Sequence, residues 1–173
     1  MFFEIPEAIA NLEQVREVKT DETGKKVYFT RVQGIRWFTN LDHGRRHEPI
    51  PLMTESEIVK FATKVPFIEY DNYDAIEVAL VKNIPSDYEG VMGVPISIMD
   101  KYSPEQFEIL GTSDNGLIDD NYKKTQGLTK EFVDDYYRGG GTGSYKEGNP
   151  TAGYYENGKA KMAYKRIFIK HKK

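Results

Sequence analysis

Residues 36–46, RWFTNLDHGRR, gather aromatic rings, a carboxamide, an imidazole and three guanidinium groups in one short run. Trp37 and Phe38 offer stacking faces, and the Asn40 amide has the donor and acceptor that match an adenine edge. Arg45 and Arg46 carry fixed charge in a fork that suits phosphate oxygens or a guanine edge, and His43 stands beside them. That combination points to a polyanion such as DNA, with Asn40, His43, Arg45 and Arg46 as the contacting residues. A second reading stands beside it, in which Trp37 and Leu41 face a core and the arginines are ordinary surface charge. Composition does not choose between the two.

Other chemistry is poorly supported. His43 and His47 are four apart, the spacing of two zinc ligands on one helix face, but Gly44 and Pro49 oppose a helix there. In HGRRHE a glycine stands where a zinc protease has its glutamate, and no third ligand is evident, so no metal is expected. The Gly-rich run GGGTGSYKEG at 139–148 follows an expected helix rather than a strand, and no Lys-Ser/Thr pair closes it. Neither phosphate-loop context is met, and a flexible surface loop over 139–153 is expected. No Gly-x-Ser-x-Gly elbow occurs. Asp119-Asp120 and Asp134-Asp135 are adjacent rather than facing, as solvated charge is.

The elements that must hold these residues follow from periodicity and punctuation. PEAIANLEQVR, opened by Pro6, has Ile9, Leu12 and Val15 at helical spacing. A turn at TDETGK leads to KVYFTRV and, after Gly34, to IRWFTNL, which read together as an antiparallel hairpin over 26–41. TESE at 54–57 fits a capping box before a helix through IVKFATK. DAIEVALV alternates as a strand with Ile76, Val78 and Leu80 on one face. SPEQ at 103–106 is a second capping-box string, and FEILG after it reads either as the rest of that turn or as a strand. Thr129 caps a last helix, KEFVDDYYR, and Asn157-Gly158 marks a tight hairpin. The fold class is mixed α+β, with antiparallel hairpins and a few short helices.

Bulk composition sets outer limits. A length of 173 residues suits a single domain over 1–173, and 39% hydrophobic with 29% charged residues indicates a globular chain. The net charge of −3 excludes a uniformly basic nucleic-acid coat while leaving room for a local basic patch. There is no cysteine, hence no disulfide and no thiolate chemistry. No apolar run reaches the roughly 18–20 residues that span a bilayer. MFFEIPEAIANLEQ has acids instead of a basic leader, so no membrane and a cytoplasmic setting are expected.

Five strings, WFTNLDHGRRHEP, YDNYDAIEV, IPSDYEGVMGVPIS, DKYSPEQFEILG and the terminal NGKAKMAYKRIFIK, resemble the EcoRI-type family of adenine-specific DNA methyltransferases. The resemblance is densest over about residues 25–111. It implies a Rossmann-like methyltransferase fold, duplex DNA as partner, and S-adenosylmethionine as methyl donor of the complete enzyme in a restriction-modification system. The family's Asn/Asp-Pro-Pro-aromatic and Gly-containing cofactor motifs have no counterpart here, since Asn149-Pro150 is followed by Thr151. The expectation is therefore a C-terminal, DNA-facing portion that binds no cofactor alone and needs an N-terminal portion for activity. A stand-alone DNA-binding or accessory protein from the family, and a non-DNA interaction domain, remain as alternatives.

Overall fold

A computed structural model describes residues 2–5, 15–31, 44–62, 66–113 and 118–172. The chain divides into two compact units, Met1–Leu41 and Asp42–Lys173.

In the first unit, β1 (Phe2–Ile5), β2 (Val15–Thr20) and β3 (Lys26–Arg31) form an antiparallel sheet in the order β1-β3-β2. Asp21 builds the turn between β2 and β3. Its carboxylate accepts from the Thr23 and Lys25 amides at 2.8 and 2.9 Å, and Gly24 takes the left-handed conformation that closes the loop. Two sequence expectations change here. Val15 and Arg16 begin a strand instead of ending a helix, and the rest of that expected helix lies outside the described residues. The hairpin partner of β3 is β2, across the TDETGK turn, with β1 on its other side. β3 is thus a central strand with both edges paired. IRWFTNL lies outside the described residues.

The second unit is organised on a five-stranded sheet in the order β4 (Ile68–Glu69), β5 (Ala75–Glu77), β6 (Val91–Pro95), β10 (Arg166–His171), β7 (Phe107–Thr112). β5 and β6 are parallel, and the other neighbours are antiparallel. Both faces are covered. Met92, Val94, Ile167 and Ile169 pack on one side, and Val91 and Phe168 on the other. Alternate residues of each strand thereby enter different cores, so β6 reads as a continuous apolar run. The crossover from β5 to β6 contains only a single 3₁₀ turn, Val81–Asn83, where a doubly wound fold would have a helix. The architecture is mixed α+β, and no Rossmann-like layer of crossover helices is seen among the described residues.

The helices match their expected caps. Thr54 and Glu57 form the reciprocal capping box of α1 (Glu55–Phe61), the Thr54 amide donating to the Glu57 carboxylate at 2.8 Å. Thr129 caps α2 (Lys130–Arg138), which buries Phe132 and Val133 against a hairpin of β8 (Gly153–Glu156) and β9 (Lys159–Met162). Asn157 and Gly158 at φ 52° and 72° make the tight turn of that hairpin. SPEQ, in contrast, starts no helix. Its Ser103 is fully buried, the chain turns once, and Phe107 enters β7 because β10 supplies a strand to pair with. DAIEVALV also departs from alternation: Glu77 is buried with its apolar neighbours and Leu80 is exposed. The Gly-rich loop is tied to α2 by the Tyr136 hydroxyl, which donates to the Thr142 carbonyl at 2.9 Å, and by the Tyr137 hydroxyl, which accepts from the Tyr145 amide at 2.7 Å.

Candidate nucleic-acid interface

Arg45 and Arg46 lie in a one-turn 3₁₀ helix, Gly44–His47. Pro49 cannot extend a helix of any kind, and Ile50 turns inward as a buried core residue. The segment is fastened at two points to the 103–106 turn. Gln106 holds the Ile50 backbone at both ends: its Oε1 accepts from the Ile50 amide at 2.9 Å and its Nε2 donates to the Ile50 carbonyl at 3.0 Å. The imidazole of His47 meets the carboxylate of Glu105, and that bond holds Glu105 below the usual carboxylate range. The backbone that carries the two arginines therefore has fixed supports, although the turn itself is exposed at Gly44 and His47. Guanidinium groups keep their charge at any working pH and can take phosphate oxygens two at a time.

Of the four residues expected to meet DNA, Arg45 and Arg46 are thus brought onto one anchored turn, while Asn40 and His43 lie outside the described residues. Trp37, Phe38 and Leu41 lie outside them as well. Among the described residues no three His, Asp or Glu side chains are grouped as metal ligands.

A polar network that the sequence did not announce sits in YDNYDAIEV. Glu77 is 5% exposed and receives Arg166 through Nε at 2.9 and 3.0 Å and through Nη2, with the Tyr70 hydroxyl as a further donor. Burial, then the Glu77 charge, pushes the Tyr70 phenol well above its ordinary value. Burial opposes the Arg166 charge, but the bonds to Glu77 outweigh it and raise Arg166. Gly93 lies opposite Glu77 in the parallel register, and a side chain there would fall on the Tyr70 ring. Asn72 donates to the Thr151 carbonyl at 2.9 Å and accepts from the Gly153 amide at 3.0 Å. Tyr73 donates to the Pro150 carbonyl. This string ties the far end of the Gly-rich loop to the sheet.

Glu77 also lines an open groove of about 620 Å³, together with Phe61, Leu80, Tyr154 and Lys161. The only sequence signal for the network was a glutamate inside an apolar strand. Nothing in the sequence paired it with an arginine 89 residues away.

The family model described as adenine-specific methyltransferase EcoRI matches residues 1–172. Type II methyltransferase M.EcoRI of Escherichia coli is 42% identical over 94 residues, which cover 54% of this chain and 27% of that protein. Type II methyltransferase M.MpnI of Mycoplasma pneumoniae is 43% identical over 82 residues, 47% of this chain and 24% of the relative. Type II methyltransferase M.MgeORF184P of Mycoplasma genitalium is 37% identical over 102 residues, 59% of this chain and 31% of its own length. The matched stretches thus span roughly a quarter to a third of these relatives. No solved structure matches the chain. A match over nearly every residue leaves one conclusion: the chain belongs to the EcoRI family of adenine-specific methyltransferases.

Proposed function

We propose that this chain is the DNA-facing, C-terminal portion of a site-specific adenine DNA methyltransferase of a restriction-modification system, inactive by itself. The family match over 1–172 carries the reading, taken with matched stretches that cover under a third of each named relative. Duplex DNA is the partner, the Arg45-Arg46 turn meets its backbone, and Asn40 and His43 are further DNA-contacting residues. An N-terminal portion is the second partner, and S-adenosylmethionine supplies the methyl group there. The compartment is the cytoplasm.

Two features of the second unit support placing the methyl donor on the other portion. The Gly-rich loop follows α2 instead of a strand, and the carbonyls of Thr142 and Gly143 are occupied by tyrosine hydroxyls. The buried carboxylate Glu77 is saturated by Arg166 and Tyr70, which leaves it unsuited to a ribose hydroxyl. Methyl transfer needs donor carbon and target nitrogen held close and in line, and these residues do not supply that alignment.

The test uses the chain alone. Titration calorimetry with S-adenosylmethionine should show no binding, and labelled donor with adenine-containing duplex should show no methyl incorporation. Micromolar affinity for the donor would overturn the division of labour. At low salt the chain should bind duplex DNA weakly in fluorescence anisotropy, as its net charge of −3 implies. Absence of any binding there would remove the DNA-facing role.

A further inference from the structure

The groove that Glu77 lines has apolar walls that the chain leaves uncovered. Ile58 and Phe61 of α1, with Pro66, Ile68 and Leu80, supply them. Ile58 is 2% exposed and belongs to the core, but Phe61 is 78% exposed and Leu80 50%. Apolar side chains scattered singly over a surface are ordinary. Two that line one concavity mark a place where another surface packs.

The groove is held open by bonds that need no occupant. α1 is fastened to the segment after β5: the Glu55 amide donates to the Asp87 carboxylate at 2.8 Å, and the Ser86 amide donates to the Met53 carbonyl at 2.8 Å. Leu80 and Lys82 are held by the 3₁₀ turn Val81–Asn83, where the Asn83 amide donates to the Leu80 carbonyl at 2.9 Å. The β8–β9 hairpin, which contributes Tyr154 and Lys161, is joined to the end of β4 by a bridge between Tyr70 and Tyr154. A site built in advance loses little freedom when it is filled.

Its polar groups select the occupant. Lys161 is paired with Glu156, and Glu77 with Arg166. Lys82 also lines the groove; it is exposed, and among the described residues no carboxylate pairs with it. The Asn83 carboxamide and the Tyr154 hydroxyl line it too, without a hydrogen-bond partner among the described residues. One uncompensated cation beside apolar walls does not suit a sugar-phosphate backbone, which calls for a series of cations. It suits a protein segment with a bulky apolar side chain and a carboxylate close by.

We propose that this groove is the docking site for the N-terminal portion of the enzyme, which rests on the two-portion reading above. That portion places a bulky apolar side chain against Phe61 and Leu80 and a carboxylate at Lys82. More than two-thirds of each named relative lies outside the stretch it shares with this chain, so the family carries ample protein to cover the groove. Side chains that fill a preformed pocket at an interface carry most of its binding, and charges at the rim guide the encounter.

The experiment has two arms. In the first, the full chain alone is titrated with anilinonaphthalene sulfonate, an apolar ring system with one anionic end. The dye should bind, and Phe61→Asp or Leu80→Asp should abolish the signal with the melting temperature unchanged. No binding of the dye would show that the groove does not receive such a group, and would overturn the proposal. In the second arm, this chain is co-expressed with the N-terminal portion, and their association is measured by biolayer interferometry. Phe61→Asp and Leu80→Asp should each weaken association by about tenfold or more. Lys82→Glu should slow association, by less as salt rises, and Lys82→Arg should restore it. Ile96→Asp, at an exposed apolar residue that does not line the groove, should change nothing. If the portions associate and no groove variant weakens them, the groove is not the contact, and the two-portion reading stands. If they do not associate at all, both fall together. Self-association of the chain, or its binding to duplex DNA, that Phe61→Asp removes while the portions still associate would assign the groove to a second copy or to DNA and overturn the proposal.

Discussion

Glu77 and Arg166 show what a single residue pair can decide. Their side chains are only 6% and 11% exposed, so each charge depends on the other for its burial. Arg166→Met should leave the Glu77 carboxylate uncompensated and cost about 3–5 kcal/mol of stability in urea denaturation. Glu77→Leu/Arg166→Met should recover most of that loss, because two apolar side chains need no partner. A single variant as stable as the parent would mean that water reaches the carboxylate after all. Tyr70 belongs to the same group, since its hydroxyl is held by Glu77 and its ring occupies the space that Gly93 leaves open. The Arg45-Arg46 cluster draws attention in the sequence because charge and aromatic residues are concentrated in one run. The Glu77 network was not, because its members are scattered and only the β5–β6–β10 arrangement brings them together.

Among the elements, α1 and SPEQ contrast two similar strings. In α1 the Thr54–Glu57 box closes both ways, and the Thr54 amide, followed by its hydroxyl, holds Glu57 below the ordinary carboxylate value. Thr54→Ala should therefore cost about 1 kcal/mol in thermal or chemical unfolding near neutral pH. The sign in acid follows from the lowered Glu57 value. The stabilisation is complete above the carboxylate's unfolded value and is lost as pH falls through its folded one, so the deficit of the variant should shrink in acid. A deficit that stays constant down to strongly acidic pH would count against the reciprocal bond. SPEQ fits the same Ser/Thr-x-x-Glu/Gln pattern, yet Ser103 bonds the Glu105 side chain and the chain runs on into β7. Propensity proposes a helix start, and strand pairing with β10 overrides it.

For the molecule as a whole, the buried tyrosines set the alkaline limit. Burial raises Tyr73 from 10.0 to about 12, and Tyr70 lies well above its ordinary value. A group whose folded value is raised contributes stability that is full below its unfolded value. That stability is lost as pH rises through the folded value. The second unit should accordingly lose stability between pH 10 and about 12, with Tyr70 and Tyr73 ionising only as it unfolds. Phenolate absorbance followed together with far-ultraviolet circular dichroism checks this. Ionisation of every tyrosine near pH 10 with secondary structure intact would show that the Tyr70–Tyr73–Phe168 packing is not as described.

The sequence alone determined whatever depends on neighbours a few positions apart. The caps at Thr54 and Thr129, the Asn157-Gly158 turn, the strand KVYFTR and the family resemblance all arise within short windows. Tertiary structure decided the rest. It chose β2 and β1 as the neighbours of β3, buried both faces of the five-stranded sheet, and made Glu77 an interior residue while leaving Leu80 outside. It also bound both Ile50 and the Lys172 amide to the single residue Gln106. The physical reason is that hydrogen bonding along a turn is local, whereas strand pairing and burial are choices among distant partners. Those choices are settled only when the whole chain has closed on itself.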